Sequence, residues 1–139
     1  MENQTNQTNQ TGQTNTFTKS LKDAVTQILN NADYEVITYC FLQQEGLKPY
    51  NGEFYYKGLE NTYNALQESG ITAECADSYG GEGQGEDYWA VYKFSKDNES
   101  VYVQFDGWYT SYNGSEFTEW FFVEPKEVKV VQFSRCKQL

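Results

Sequence analysis

The apolar positions of this chain have two textures, one repeating near every 3.6 residues and one repeating every second residue. Leu21, Ala24, Val25, Ile28 and Leu29 recur at i, i+3, i+4, i+7 and i+8, the stripe of an amphipathic helix. Thr18 or Ser20 can accept hydrogen bonds from its first free amides, and Asn30-Asn31 suits its end. Residues 58–69 carry Leu59, Tyr63 and Leu66 on one face, with Glu60 and Glu68 outward and Gly70 placed as a terminator. Between them, DYEVITYCFLQQEG has strand-like composition, yet Val36, Ile37, Cys40 and Phe41 also fit a helical stripe. Both readings of 34–45 stay open, with helix favoured and Gly46 and Pro49 ending it.

After Gly70 the pattern changes to alternation rich in β-branched and aromatic residues. Strands are predicted at 71–78, 88–95, 100–110, 117–123 and 128–134. The turns fall at Lys96-Asp97-Asn98-Glu99 and at Asn113-Gly114. Gly107, inside the third run, predicts a bulge or sharp bend, and Pro125 interrupts before the last run. Helices first, then consecutive strands with short connections, predict an α+β fold. Its N-terminal helices pack on one face of a four- to five-stranded antiparallel meander. No βαβ pattern occurs, so no nucleotide-binding crossover is expected.

Residues 1–16, MENQTNQTNQTGQTNT, have no apolar side chain after Met1 and cannot bury surface to offset the entropy of ordering. They are expected to form a disordered tail ahead of a single α+β domain at 17–139. Asn3, Asn6, Asn9, Asn98 and Asn113 head formal glycosylation sequons, expected to stay unmodified for want of a leader. No run approaches the roughly 18 apolar residues of a membrane span, so a soluble, unexported protein is expected.

Histidine is absent, which removes the commonest general base and transition-metal ligand. Cys40, Cys75 and Cys136 are odd in number, far apart and without a CxxC pair, so free, buried thiols are expected rather than a disulfide framework or zinc site. One disulfide plus an orphan is the alternative. No cofactor is implied, and an enzyme is disfavoured.

The formal charge is −10. Residues 45–87 hold nine acids against Lys48 and Lys57, a net of −7, whereas 88–139 hold seven acids against six bases, a net of −1. That sign disfavours phosphate backbones and anionic membranes as partners. The stretch YGGEGQGED at 79–87 has neither the lysine nor the following helix of a phosphate loop, and lacks the ligand ladder of a calcium loop. It is either a solubilising hairpin loop or a contact loop for a basic partner. In residues 105–125, Phe105, Trp108, Tyr109, Tyr112, Phe117, Trp120, Phe121 and Phe122 should divide about equally between the two sheet faces. With helices on one face only, the other should show aromatic surface, serving as packing or as an interface. The Glu116/Glu119 pair has the composition of a glycosidase dyad but reads as two solvated acids.

From Ser78 to Phe133 the text resembles small uncharacterised accessory proteins of tailed bacteriophages. The features that carry the likeness are the Gly/Glu-rich loop GGEGQGED, the aromatic strand YWAVYKF, the Tyr-rich turn DGWYTSYNGSEF and the closing VEPKEVKVV. The resemblance implies viral origin and action in the host bacterial cytoplasm, and carries no catalytic residues. The functional expectation is an acidic phage-encoded binding protein that inhibits a host defence or nucleic-acid-handling protein, in one form by nucleic-acid mimicry. The expected binding residues are Glu53, Glu60, Glu68, Glu74, Asp77, Glu82, Glu86 and Asp87, with Trp108, Tyr109, Tyr112 and Trp120 as anchors. The alternatives are a virion assembly subunit that oligomerises through an aromatic sheet face, and a small-molecule binder with a pocket between helices and sheet.

Overall fold

The computed structural model describes residues 19–81, 86–110 and 114–136, so the expected tail at 1–16 lies outside the described residues. Helix α1 spans Leu21–Asn30. Ser20 is its N-cap, its hydroxyl accepting from the Asp23 amide at 3.1 Å. Leu21, Val25, Ile28 and Leu29 are buried, as the stripe predicts, and Asn31 closes the helix. Helix α2 spans Leu59–Ser69 and ends at Gly70, whose φ of 69° needs a residue without Cβ strain.

Between them, Val36–Leu42 forms a π-helix. The Gln43 amide reaches back five residues to the Thr38 carbonyl, at 3.0 Å. The predicted stripe of Val36, Ile37, Cys40 and Phe41 is buried, but so are Thr38 and Leu42. A helix apolar nearly all round fits a central position, with packing on several sides. The β-branched composition that suggested a strand serves this burial instead.

The sheet is a four-stranded antiparallel meander in the order β1-β2-β3-β4, built from Thr72–Tyr79, Glu86–Lys96, Glu99–Thr110 and Gly114–Val123. Lys96 pairs with Glu99 across a two-residue turn in which Asp97 takes a φ of 55°. The predicted irregularity at Gly107 is a bulge: the β3–β4 register shifts between Asp106 and Gly107. A Cβ on Gly107 would lie 2.5 Å from both the Glu116 carbonyl oxygen and Leu42 Cδ2. The glycine is therefore required by close approach of the π-helix and β4.

Alternation places Ala90, Tyr92 and Phe94 of β2 and Val103 and Phe105 of β3 under the helices, and all five are buried. Phe41 is the hub. Its ring stacks on Phe105 at 4.7 Å and meets Tyr92 edge-on at 5.0 Å. The Tyr92 hydroxyl donates to the Cys40 carbonyl at 3.1 Å, so the one polar atom of this buried ring is satisfied. Aromatic side chains thus occupy the interior between helices and sheet.

The expected fifth strand at 128–134 is not formed. Residues 124–136 have neither helix nor strand, and Val128, Val130, Val131 and Phe133 are 71–94% exposed. Pro125 offers no amide to a ladder and biases Glu124 towards extended backbone, which disfavours a tight return onto β4.

Candidate functional site

Two faces follow from the register. The helix-covered face takes Tyr88, Tyr109, Phe117, Trp120 and Phe122 besides the buried core. The opposite face is covered by no described segment. Its cross-strand rows are Asp87–Trp108–Glu116, Tyr79–Trp89–Asp106–Glu119, Asp77–Val91–Gln104–Phe121 and Glu74–Lys93–Tyr102–Val123. Among the described strand residues this face thus carries six carboxylates and one lysine, interleaved with five aromatic rings.

Trp108 is 43% exposed and has Asp87 on one neighbouring strand and Glu116 on the other. Directly opposed side chains on adjacent strands have Cβ atoms about 4.5–5.5 Å apart, so both carboxylates border the indole. Trp89 stacks on Tyr79 at 6.0 Å and 17°. Asp106 stands opposite Trp89, and its carboxylate accepts from Gln104 Nε2 at 2.8 Å. That bond fixes the carboxylate beside the ring without neutralising it.

The sequence-derived site divides against this geometry. Glu74, Asp77, Asp87 and Trp108 share the open face. Glu60 and Glu68 are exposed on α2, in the helical layer, and Glu53 sits at a small turn where it pairs with Tyr50. The acids of 45–87 therefore do not form one continuous face. Trp120 and Tyr109 lie on the covered side: Trp120 packs against the core and Phe122, and Tyr109 meets Tyr88 edge-on. Of the eight clustered aromatics, Trp108 and Phe121 reach the open face, whereas Phe105, Tyr109, Phe117, Trp120 and Phe122 do not. Equal division fails because the Gly107 bulge resets the alternation along β4. Tyr112, Glu82 and the Glu86 side chain fall outside the described residues. Asp106, Glu116 and Glu119 were missed as binding residues. Their signal was period-two placement beside Trp89 and Trp108, which local charge counting does not see.

A second exposed surface is the tyrosine-rich turn after the π-helix. Tyr50 pairs with Glu53 around Asn51 and Gly52, both at positive φ. Tyr50 and Tyr55 are 79% and 86% exposed. Tyr39 and Tyr56 stack at 5.3 Å, and the Tyr56 hydroxyl donates to Glu45 at 2.7 Å. That bond to a carboxylate is the main reason the Tyr56 phenol is held well above its ordinary pKa. Behind these rings is a cleft of about 190 Å³ reaching Cys40, Lys48 and Leu59.

All three cysteines are free thiols, which excludes the one-disulfide alternative. Only Cys40 is buried; Cys75 and Cys136 are exposed, contrary to expectation. Burial, then the nearby Glu45 charge, raises the Cys40 pKa from 9.0 to about 11. The Cys75 thiol donates weakly to Gln44 Oε1 and the Asp77 carbonyl, at 3.4 and 3.5 Å. Among the described residues no three His, Cys, Asp or Glu side chains gather as a metal cage requires. No described helix is long and apolar enough to cross a membrane.

Compared with protein-family models, with curated proteins and with solved structures, the chain finds no match.

Proposed function

We propose that the chain is an acidic binding protein whose open sheet face docks on a basic surface of another protein. The observation that carries this reading is the placement of Asp87 and Glu116 on either side of exposed Trp108, with Asp106 opposite Trp89 one row away. An indole face attracts a lysine or arginine cation, and a bordering carboxylate supplies the charge-assisted hydrogen bond. Trp and Tyr on a rigid sheet anchor an interface at little entropic cost. The excess of carboxylates speeds encounter with a basic partner and makes binding sensitive to salt.

The resemblance to phage accessory proteins sets the proposed context: inhibition of a host defence or nucleic-acid-handling protein in the bacterial cytoplasm. If the partner's basic surface is its nucleic-acid groove, the carboxylates stand where phosphates would, and the protein acts as a mimic. The face mixes carboxylates with large apolar rings rather than presenting unbroken charge. This favours recognition of individual Lys and Arg side chains.

The test compares capture of bacterial-extract proteins by the 139-residue chain and by two charge-reversed variants. Asp87→Lys/Asp106→Lys/Glu116→Lys reverses three charges on the open face; Glu60→Lys/Glu68→Lys reverses two on α2, two-thirds of that change. The expected result is loss of one basic partner with the first variant only, with capture weakening as salt rises. Competition by duplex DNA identifies the mimic. Equal loss with both variants would mean that net charge alone acts, and the reading would fail.

A further inference from the structure

We propose that two copies of this chain exchange their C-terminal segments, residues 126–135 of each adding as a fifth strand to the free edge of β4 in the other. The exchange does not rest on what the open sheet face recognises, although the added strand would border that face beside Glu116 and Glu119.

The segment has the composition of a strand and no partner for it. Lys-Val-Val-Gln-Phe at 129–133 is β-prone, and Val128, Val130, Val131 and Phe133 all stand in solvent. Among the described residues, no backbone hydrogen bond is made by 124–136 to the rest of the chain. The same molecule has an unmet need of the complementary kind. β4 is the last strand of the sheet, so its outer edge has no strand partner; on β4 the Phe117 amide is taken by the Tyr34 hydroxyl at 3.2 Å, and the stretch beyond it towards Val123 is the edge open to a further strand. On its covered side, Trp120 and Phe122 are only partly buried although they pack on the core. A fifth strand would complete both the ladder and the cover over these rings.

The occupant is a second copy for three reasons. Pro125 biases the chain to continue out of β4, whereas pairing with its own β4 requires reversal within Glu124-Pro125-Lys126-Glu127. Exchange between copies makes the same contacts without that reversal, which is the usual logic of a domain swap. Continuing the alternation of β4 through the segment puts Val128 and Val130 on the side of Trp120 and Phe122. It puts Lys129, Val131, Phe133 and Arg135 on the side of Glu116, Glu119 and Phe121, so charge and apolar surface both match. Finally, antiparallel pairing of each tail with the other copy's β4 is self-complementary about a two-fold axis near Pro125. The contact therefore closes as a dimer rather than propagating.

Light scattering coupled to size exclusion, over a dilution series of the 139-residue chain, tests this against two variants. One ends at Pro125; the other, Val130→Pro/Phe133→Asp, keeps the length but removes a ladder amide and an apolar contact. A dimer for the parent, with self-association at least ~100-fold weaker in both variants while their circular dichroism stays that of a folded sheet, supports exchange. Amide exchange should show residues 128–134 protected in the dimer. A monomeric parent overturns the proposal, whether 128–134 is protected by folding back or unprotected. So do a dimer that survives in the variants and an assembly that grows beyond two.

Discussion

Phe105 and Phe121 lie on adjacent strands one position out of register, with Phe105 opposite Trp120 and Phe121 opposite Gln104, so they point to opposite faces. This makes Phe105→Ala and Phe121→Ala a matched pair with the same chemistry. Phe105 is 0% exposed, stacked on Phe41 at 4.7 Å and edge-on to Tyr92 at 5.9 Å. Truncation removes a fully buried ring and leaves a cavity bounded by aromatic side chains that cannot collapse without losing their own contacts. The expected loss is about 3–5 kcal/mol. For a domain of this size that lowers the melting temperature by roughly 10–20 °C, a large part of the ~5–15 kcal/mol total. Phe121 is 36% exposed, and its removal opens no cavity because solvent already reaches the ring. The expected loss is about 1–1.5 kcal/mol, the transfer contribution alone. Urea denaturation followed by tryptophan fluorescence measures both, with m-values checked for constancy. A Phe121→Ala loss equal to or larger than that of Phe105→Ala would mean that the open face is covered and the assignment of faces is wrong.

Gly107→Ala should destabilise by about 1–3 kcal/mol, since its methyl must displace the Glu116 carbonyl and Leu42; thermal melts check it. Tyr92→Phe should cost about 1–2 kcal/mol by leaving the Cys40 carbonyl unsatisfied in the core, measured by urea titration. Thr38→Val should be neutral or stabilising by up to about 1 kcal/mol, because the fully buried Thr38 hydroxyl has no hydrogen-bond partner; the urea midpoint decides. Burial holds the Cys40 thiol and the Tyr92 phenol protonated beyond their ordinary range, raising Cys40 from 9.0 to about 11. A raised folded-state pKa contributes stability that is intact below the unfolded value and lost as pH climbs through the folded one. The denaturation midpoint should therefore fall between pH 9 and 11, and less steeply in Cys40→Ala; an unchanged midpoint to pH 11 would contradict this. In the same window a thiol reagent should modify exposed Cys136 first and Cys40 only on unfolding.

Local pattern determined the elements. The α1 stripe, a cap at Thr18 or Ser20, the Gly70 stop, the four meander strands and the Gly107 bulge all follow from spacing and backbone preference, which act within a few residues of the chain. The class followed as well, since helices preceding hairpin-linked strands have few ways to bury both apolar faces. Tertiary structure alone decided the rest. Whether VITYCFL is strand or helix depended on the space between sheet and helices, where burial on several sides outweighs β-propensity. The 128–134 run has strand composition, but a strand exists only where an edge receives it, and Pro125 turns the chain away from its own. The acidic aromatic face is the clearest case. Asp87 and Glu116 are 29 positions apart in the chain and become neighbours of Trp108 only through two strand pairings, and one bulged residue sets the side to which each ring of β4 turns. Charge and periodicity are carried by the chain itself, whereas adjacency is created by register, a property of strand pairs.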